Sequence, residues 1–182
     1  MTHMIACACC GELAPISELE LSFRLPDDVF KLSKTEQGAR CRLSSEYIVL
    51  NDNRFFIRAL MPLPVHGRAE PYHIGIWAEV SEKNFFRVLA LSAKPAPASA
   101  PPISARLANQ VPFHESTMGL SLTLQLTGPD TRPEVQVRPC EHTLYAEQSN
   151  GIDEARVLQY AQPVLQHAHA RGGSTDAPAK QE

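Results

Sequence analysis

The stretch from Glu46 to Val80 constrains the fold more than any other. Tyr47-Ile48-Val49-Leu50 is a β-favouring run closed by Asn51-Asp52-Asn53, and a second run, Arg54–Met61, follows it. Asparagine and aspartate tolerate the left-handed backbone of a tight turn, so two such runs around this triplet predict a hairpin. Side chains alternate along a strand. Phe55, Ile57, Ala59 and Met61 therefore share one face, and Arg54, Phe56, Arg58 and Leu60 the other. Pro62-Leu63-Pro64 should end the strand, because proline has no N–H for the ladder. His66 to Pro71 reads as a polar loop. Tyr72–Val80 reads as a third strand, with Tyr72, Ile74, Ile76, Ala78 and Val80 on one face and His73, Trp77 and Glu79 on the other.

The flanks carry weaker signals. Residues 15–26 read as a short strand or an extended arm. Asp27 and Asp28 follow Pro26 as N-caps for a short helix holding Val29, Phe30 and Leu32. Ser81 caps a helix in which Phe85, Val88 and Leu89 form an apolar stripe. A Pro/Ala-rich loop occupies residues 93–104. Leu120, Leu122, Leu124 and Leu126 alternate with polar residues over Gly119–Thr127, the mark of a half-buried strand. Gly128-Pro129-Asp130 is a turn, and Glu134–Arg138 a further strand with Val135 and Val137 inward. Asp153 caps a last helix carrying Val157, Tyr160, Ala161, Val164 and Leu165, which Pro163 should kink or interrupt. The order of strands, helix, strands, helix with short turns predicts an α+β fold: one domain over residues 1–170, an antiparallel sheet with helices packed on one face. Residues 171–182 are polar and Gly-containing, and a disordered tail is expected there.

A chain of 182 residues is long enough for one hydrophobic core. Its 17 basic and 20 acidic residues give a net charge of -3, and no basic run appears, which argues against nucleic acid as a partner. No apolar run approaches the roughly 20 residues that span a bilayer. Met1-Thr2-His3-Met4 has no signal-peptide pattern, so a cytoplasmic protein with reduced thiols and no membrane partner is expected.

The most specific chemical motif is the head, residues 1–14, with Cys7-Ala8-Cys9-Cys10-Gly11. Cys7 and Cys10 have the spacing that lets two thiolates on a tight turn reach one zinc ion. A structural site needs more ligands. Cys140 and His142 are the leading candidates, with Cys41, His3 and His114 behind them. Arg58, Trp77 and Glu79 would share one sheet face if their strands pair, and could line a binding groove. His142 and Glu147 could form an acid–base pair or a metal site. Phosphate-loop, dinucleotide, H-E-x-x-H and G-x-S-x-G motifs are absent.

Several segments in order resemble a known bacterial family, the domain of unknown function 2199. They are the Cys-x-x-Cys-Gly head, Leu21-Ser22-Phe23, Phe55-Phe56-Ile57-Arg58, Ile76-Trp77 running into Ser81 and Phe85, Arg132-Pro133, and His142-x-Leu144-x-Ala146-Glu147-Gln148 with Gly151-Ile152. The resemblance covers roughly residues 7–165 and implies a small soluble bacterial protein, with no activity or partner attached. In such relatives a histidine often follows the knuckle closely; Ala14 and its neighbours offer none here. With no nucleophile set prepared, the expected function is a non-enzymatic binding or regulatory module with a structural zinc, its partner a protein or small molecule. The alternative is a metal-dependent hydrolase with zinc on Cys7, Cys10 and His142 and Glu147 as base.

Overall fold

The structure, a computed structural model, describes residues 4–6, 13–15, 19–92 and 100–172, and for 166–172 the backbone path alone. The strands are β1 (Met4–Ala6), β2 (Leu13–Pro15), β3 (Cys41–Leu43), β4 (Tyr47–Leu50), β5 (Arg54–Leu63), β6 (Tyr72–Val80), β7 (Ile103–Leu107), β8 (Ser121–Gln125) and β9 (Glu134–Val137). The helices are α1 (Asp27–Phe30), α2 (Lys34–Arg40), α3 (Glu82–Ser92), α4 (Thr143–Asn150) and α5 (Glu154–Gly172). β1 and β2 form a separate antiparallel ribbon. The fold is α+β.

β3 to β9 make one sheet in chain order, each strand antiparallel to the next. The expected hairpin is present: Asn51 and Asp52 take φ of 51° and 55°, and β4 pairs with β5 from Tyr47 opposite Ile57 to Leu50 opposite Arg54. The sheet is not the purely antiparallel one expected. β9 also meets β5 in parallel, Leu60 opposite Glu134, and the Leu60 N–H donates to the Pro133 carbonyl at 2.9 Å. This contact closes β5 to β9 into a ring. The cause is a length mismatch: β5 has ten residues, and β4 pairs with its first four alone. The rest of that edge is left for β9.

Ring closure also corrects the expectation of helices on one face. A closed sheet has an interior with two ends and an outside, and each needs cover. Phe85 and Val88 of α3, Leu144 of α4, and Val157 and Tyr160 of α5 join the interior core with Ile57, Ala59, Met61, Ile74, Ile76, Leu122, Leu124 and Val135. Val29 of α1 packs outside, with Ile48, Phe56, Trp77 and Ala108.

Four local expectations change. β5 does not stop before Pro62, which lies in the strand opposite His73. The Pro62 carbonyl accepts from Gln148 Nε2 at 3.1 Å, so a side chain, not a strand, meets it there. Asp27 is the first residue of α1 rather than its cap: its carboxylate accepts from Asn109 Nδ2 and the Gln110 N–H, both at 2.9 Å. α5 is not interrupted at Pro163 and reaches Gly172, beyond the start of the expected tail. β7 begins at Ile103, inside the segment read as a Pro/Ala loop.

Candidate functional site: a groove where the sheet forks

β5 exchanges one neighbour for another halfway along its edge. The Arg58 N–H donates to the Glu46 carbonyl, just before β4, and two residues on the Leu60 N–H donates to Pro133, just before β9; both bonds are 2.9 Å. Between those anchors the two strands diverge. The fork holds a groove of about 810 Å³, lined by Glu46, Tyr47, Arg58, Leu60, Arg132 and Glu134 among others.

Arg132 clasps the mouth. Its Nε and a terminal nitrogen donate to the two Glu46 oxygens, each at 2.9 Å. This planar, two-bond pairing holds the Glu46 carboxyl below its ordinary range and pushes the Arg132 guanidinium up. The hydroxyls of Thr127 and Thr131 face the same groove but are engaged with each other and with the carbonyls of Arg132 and Gly128.

Arg58 is different. One terminal nitrogen donates to Ser22 Oγ at 3.0 Å, and the other reaches the Ser45 carbonyl at 3.4 Å. Its Nε is buried and has no hydrogen-bond partner among the described residues. Burial lowers its pKa, the nearby Arg132 charge lowers it further, and Glu46 opposes both. The guanidinium lies 5.9 Å from the centre of the Trp77 ring, as expected from the register, in which Arg58 stands opposite Trp77. Trp77 is buried and donates from Nε1 to the Phe23 carbonyl at 3.1 Å. Gly75, opposite Leu60, makes room for this arrangement. A Cβ there would lie 2.4 Å from Ser22 Oγ, the atom that holds Arg58.

Glu79, the third residue expected on this face, has another partner. Arg54 donates to both of its oxygens at 2.7 and 2.8 Å, and to Asp28 Oδ2 at 3.0 Å. The Arg54 charge holds the Asp28 carboxyl low.

The remaining candidate residues sit near α4. His142 caps it, its Nδ1 accepting from the Leu144 N–H at 3.1 Å. Its Nε2 is buried with no hydrogen-bond partner among the described residues, and its ring centre is 5.8 Å from that of His114. Glu147 does not meet His142. Its two oxygens accept from Arg156 Nε and the Tyr160 hydroxyl, both at 2.7 Å, and His114 Nε2 is 3.3 Å away. Burial raises the Glu147 pKa, but the bonds from His114 and Tyr160 and the charges of His114 and Arg156 outweigh it, and the net shift is downward. Tyr160 moves the other way, through burial and then through Glu147, and stays a donor. His114 Nδ1 meets Thr143 Oγ1 at 2.6 Å, so every polar atom of this ring has a neighbour. The loop that delivers His114 is strained: Phe113 has φ of 67°, rare for a bulky side chain. Its ring is held 5.3 Å from the Arg156 guanidinium.

Sequence reasoning missed Arg132 and Glu134 as groove neighbours of Arg58, and missed His114, Tyr160 and Arg156 as partners of Glu147. Arg132-Pro133 was visible as a motif, but only ring closure brings it to Arg58. Cys7, Cys9, Cys10 and His3 lie outside the described residues. Cys140 is exposed, and among the described residues no cluster of three His, Cys, Asp or Glu side chains could hold a metal ion. No helix among them is long and apolar enough to cross a membrane.

Residues 6–152 match a family whose description reads "Uncharacterized protein conserved in bacteria (DUF2199)". No curated protein and no solved structure matches the chain.

Proposed function

Since the chain belongs to this bacterial family, we propose that it is a non-enzymatic binding module whose ligand sits in the fork between β4 and β9. The observation that carries this reading is Arg58: a part-buried guanidinium with a buried, unpartnered Nε and no carboxylate ion pair among the described residues, on a residue that lines a groove of about 810 Å³. A partly desolvated cation is costly when the carboxylate near it, Glu46, is already bound by another arginine, Arg132. Both groove arginines also lie in segments that carry the family resemblance, Phe55-Phe56-Ile57-Arg58 and Arg132-Pro133. The competing hydrolase reading needs Glu147 as a base. Both of its oxygens accept hydrogen bonds, and its low pKa makes it a poor proton acceptor.

Titration with acetate, followed by amide NMR shifts, tests the groove. Amides around Arg58, Leu60 and Arg132 should move in the wild type and stay still in Arg58→Gln. Unmoved amides in the wild type would overturn the reading.

A structural zinc on Cys7 and Cys10 is a separate part of the proposal, supported by the thiolate spacing alone. Elemental mass spectrometry of the purified protein should find about one zinc per chain, lost together with thermal stability in the Cys7→Ser/Cys10→Ser variant.

A further inference from the structure

Resting on the groove reading above, we infer that the ligand is a small zwitterion carrying an α-amino carboxylate and an apolar side chain, such as a free aliphatic amino acid. The charges lining the fork carry this inference. Arg132 and Glu46 neutralise each other through two hydrogen bonds. What remains is one cation, Arg58, and two acids, Glu134 and Asp130. Glu134 and Arg58 make no ion pair with each other or with any other described residue.

The geometry explains why they stay apart and what would join them. Glu134 stands opposite Leu60, and Arg58 is two residues before Leu60 on the same strand face. Arg54 and Glu79 bridge a comparable offset between β5 and β6, so the backbone does not forbid a pair; Arg58 is instead turned to Ser22 Oγ and the Ser45 carbonyl. A simple anion would satisfy Arg58 and be repelled by Glu134 and Asp130. A simple cation would meet the reverse. A molecule carrying both charges a few bonds apart answers both, and Tyr47, Leu60 and Pro133 give the apolar wall for its side chain. Each half would contribute through a charge-assisted hydrogen bond, roughly twice as strong as a neutral one.

A second cavity, of about 590 Å³, lies beside Pro62, Pro64, Val65 and Tyr145, but its arginine, Arg68, is already paired with Glu154. It offers no comparable imbalance.

The test compares three probes by NMR titration: L-leucine, isocaproate (the same molecule without the amine) and isoamylamine (the same molecule without the carboxylate). L-leucine should move the groove amides at concentrations at least about tenfold lower than either half-molecule, each half losing more than 1.4 kcal/mol of binding. Arg58→Gln should abolish the response to isocaproate, and Glu134→Gln the response to isoamylamine. Glu134 is partly exposed, so that variant keeps the test open if Arg58→Gln fails to fold. Isocaproate binding as tightly as L-leucine would overturn the zwitterion and leave the groove reading standing. Isoamylamine binding as tightly would also overturn it. Silence from all three probes would remove both the ligand class and the groove.

Discussion

At the scale of single residues, the block that carries much of the family resemblance, His142 to Ile152, is engaged in holding the fold. His142 caps α4, and Leu144 is buried. Gln148 accepts from the Val137 N–H at 2.7 Å and donates to the carbonyls of Val135 and Pro62, tying α4 to two strands. Gly151 has φ of 85°, and a Cβ there would lie 2.9 Å from the His66 ring. Glu147 is the residue whose structural role has a pH signature. Its carboxyl titrates lower in the folded chain than its ordinary 4.5. Its contribution to stability is therefore complete above that value and is lost as the pH falls through the folded one. Glu147→Gln should cost about 2 kcal/mol at neutral pH, since it weakens bonds from Arg156 and Tyr160 to a charged acceptor. Urea unfolding between pH 3 and 7 (roughly the carboxylate window) should show a shallower acid loss in the variant. Asp28 and Glu46 are held low by arginines and titrate in the same window, so the slope should flatten rather than vanish.

Among secondary-structure elements, those with a strong period were legible and those defined by tertiary contact were not. β5, β6 and β8 follow from alternation, and the β4–β5 turn from Asn51 and Asp52. α3 and α5 begin where Ser81 and Asp153 announce them: the Asn84 N–H donates to Ser81 Oγ at 3.3 Å and the Arg156 N–H to Asp153 Oδ1 at 2.8 Å. α2 carried a signal that went unread. Ser33 and Glu36 form a reciprocal capping box, each side chain accepting the other's backbone N–H. Ser33→Ala should lower stability by about 1 kcal/mol, readable as a shift in the urea midpoint with no change in slope. β7 was hidden for another reason. Ile103, Ala105 and Leu107 alternate inward over five residues, too short a run to stand out beside a proline-rich segment. Arg54 and Glu79 show the same limit for side chains: alternation put Arg58 and Glu79 on one face, yet the cross-strand diagonal favoured Arg54.

For the whole molecule, the sequence showed strands but not that they close. No local pattern marks β9 as a neighbour of β5, because that contact joins Leu60 to Glu134, 74 residues further along the chain. The groove was illegible for the same reason: Arg58 and Arg132 were each visible, and their meeting was not. The closure also sets an order of events. Hairpins such as β4–β5 and β5–β6 close short loops and can form early, whereas the β5–β9 seam must wait for a long loop to close. A chain caught before that step would hold its central hairpins and much of its apolar core while lacking any fork. Competence to bind would then be the last property the folding chain acquires, and ligand occupancy would report completion of the ring rather than the presence of its strands.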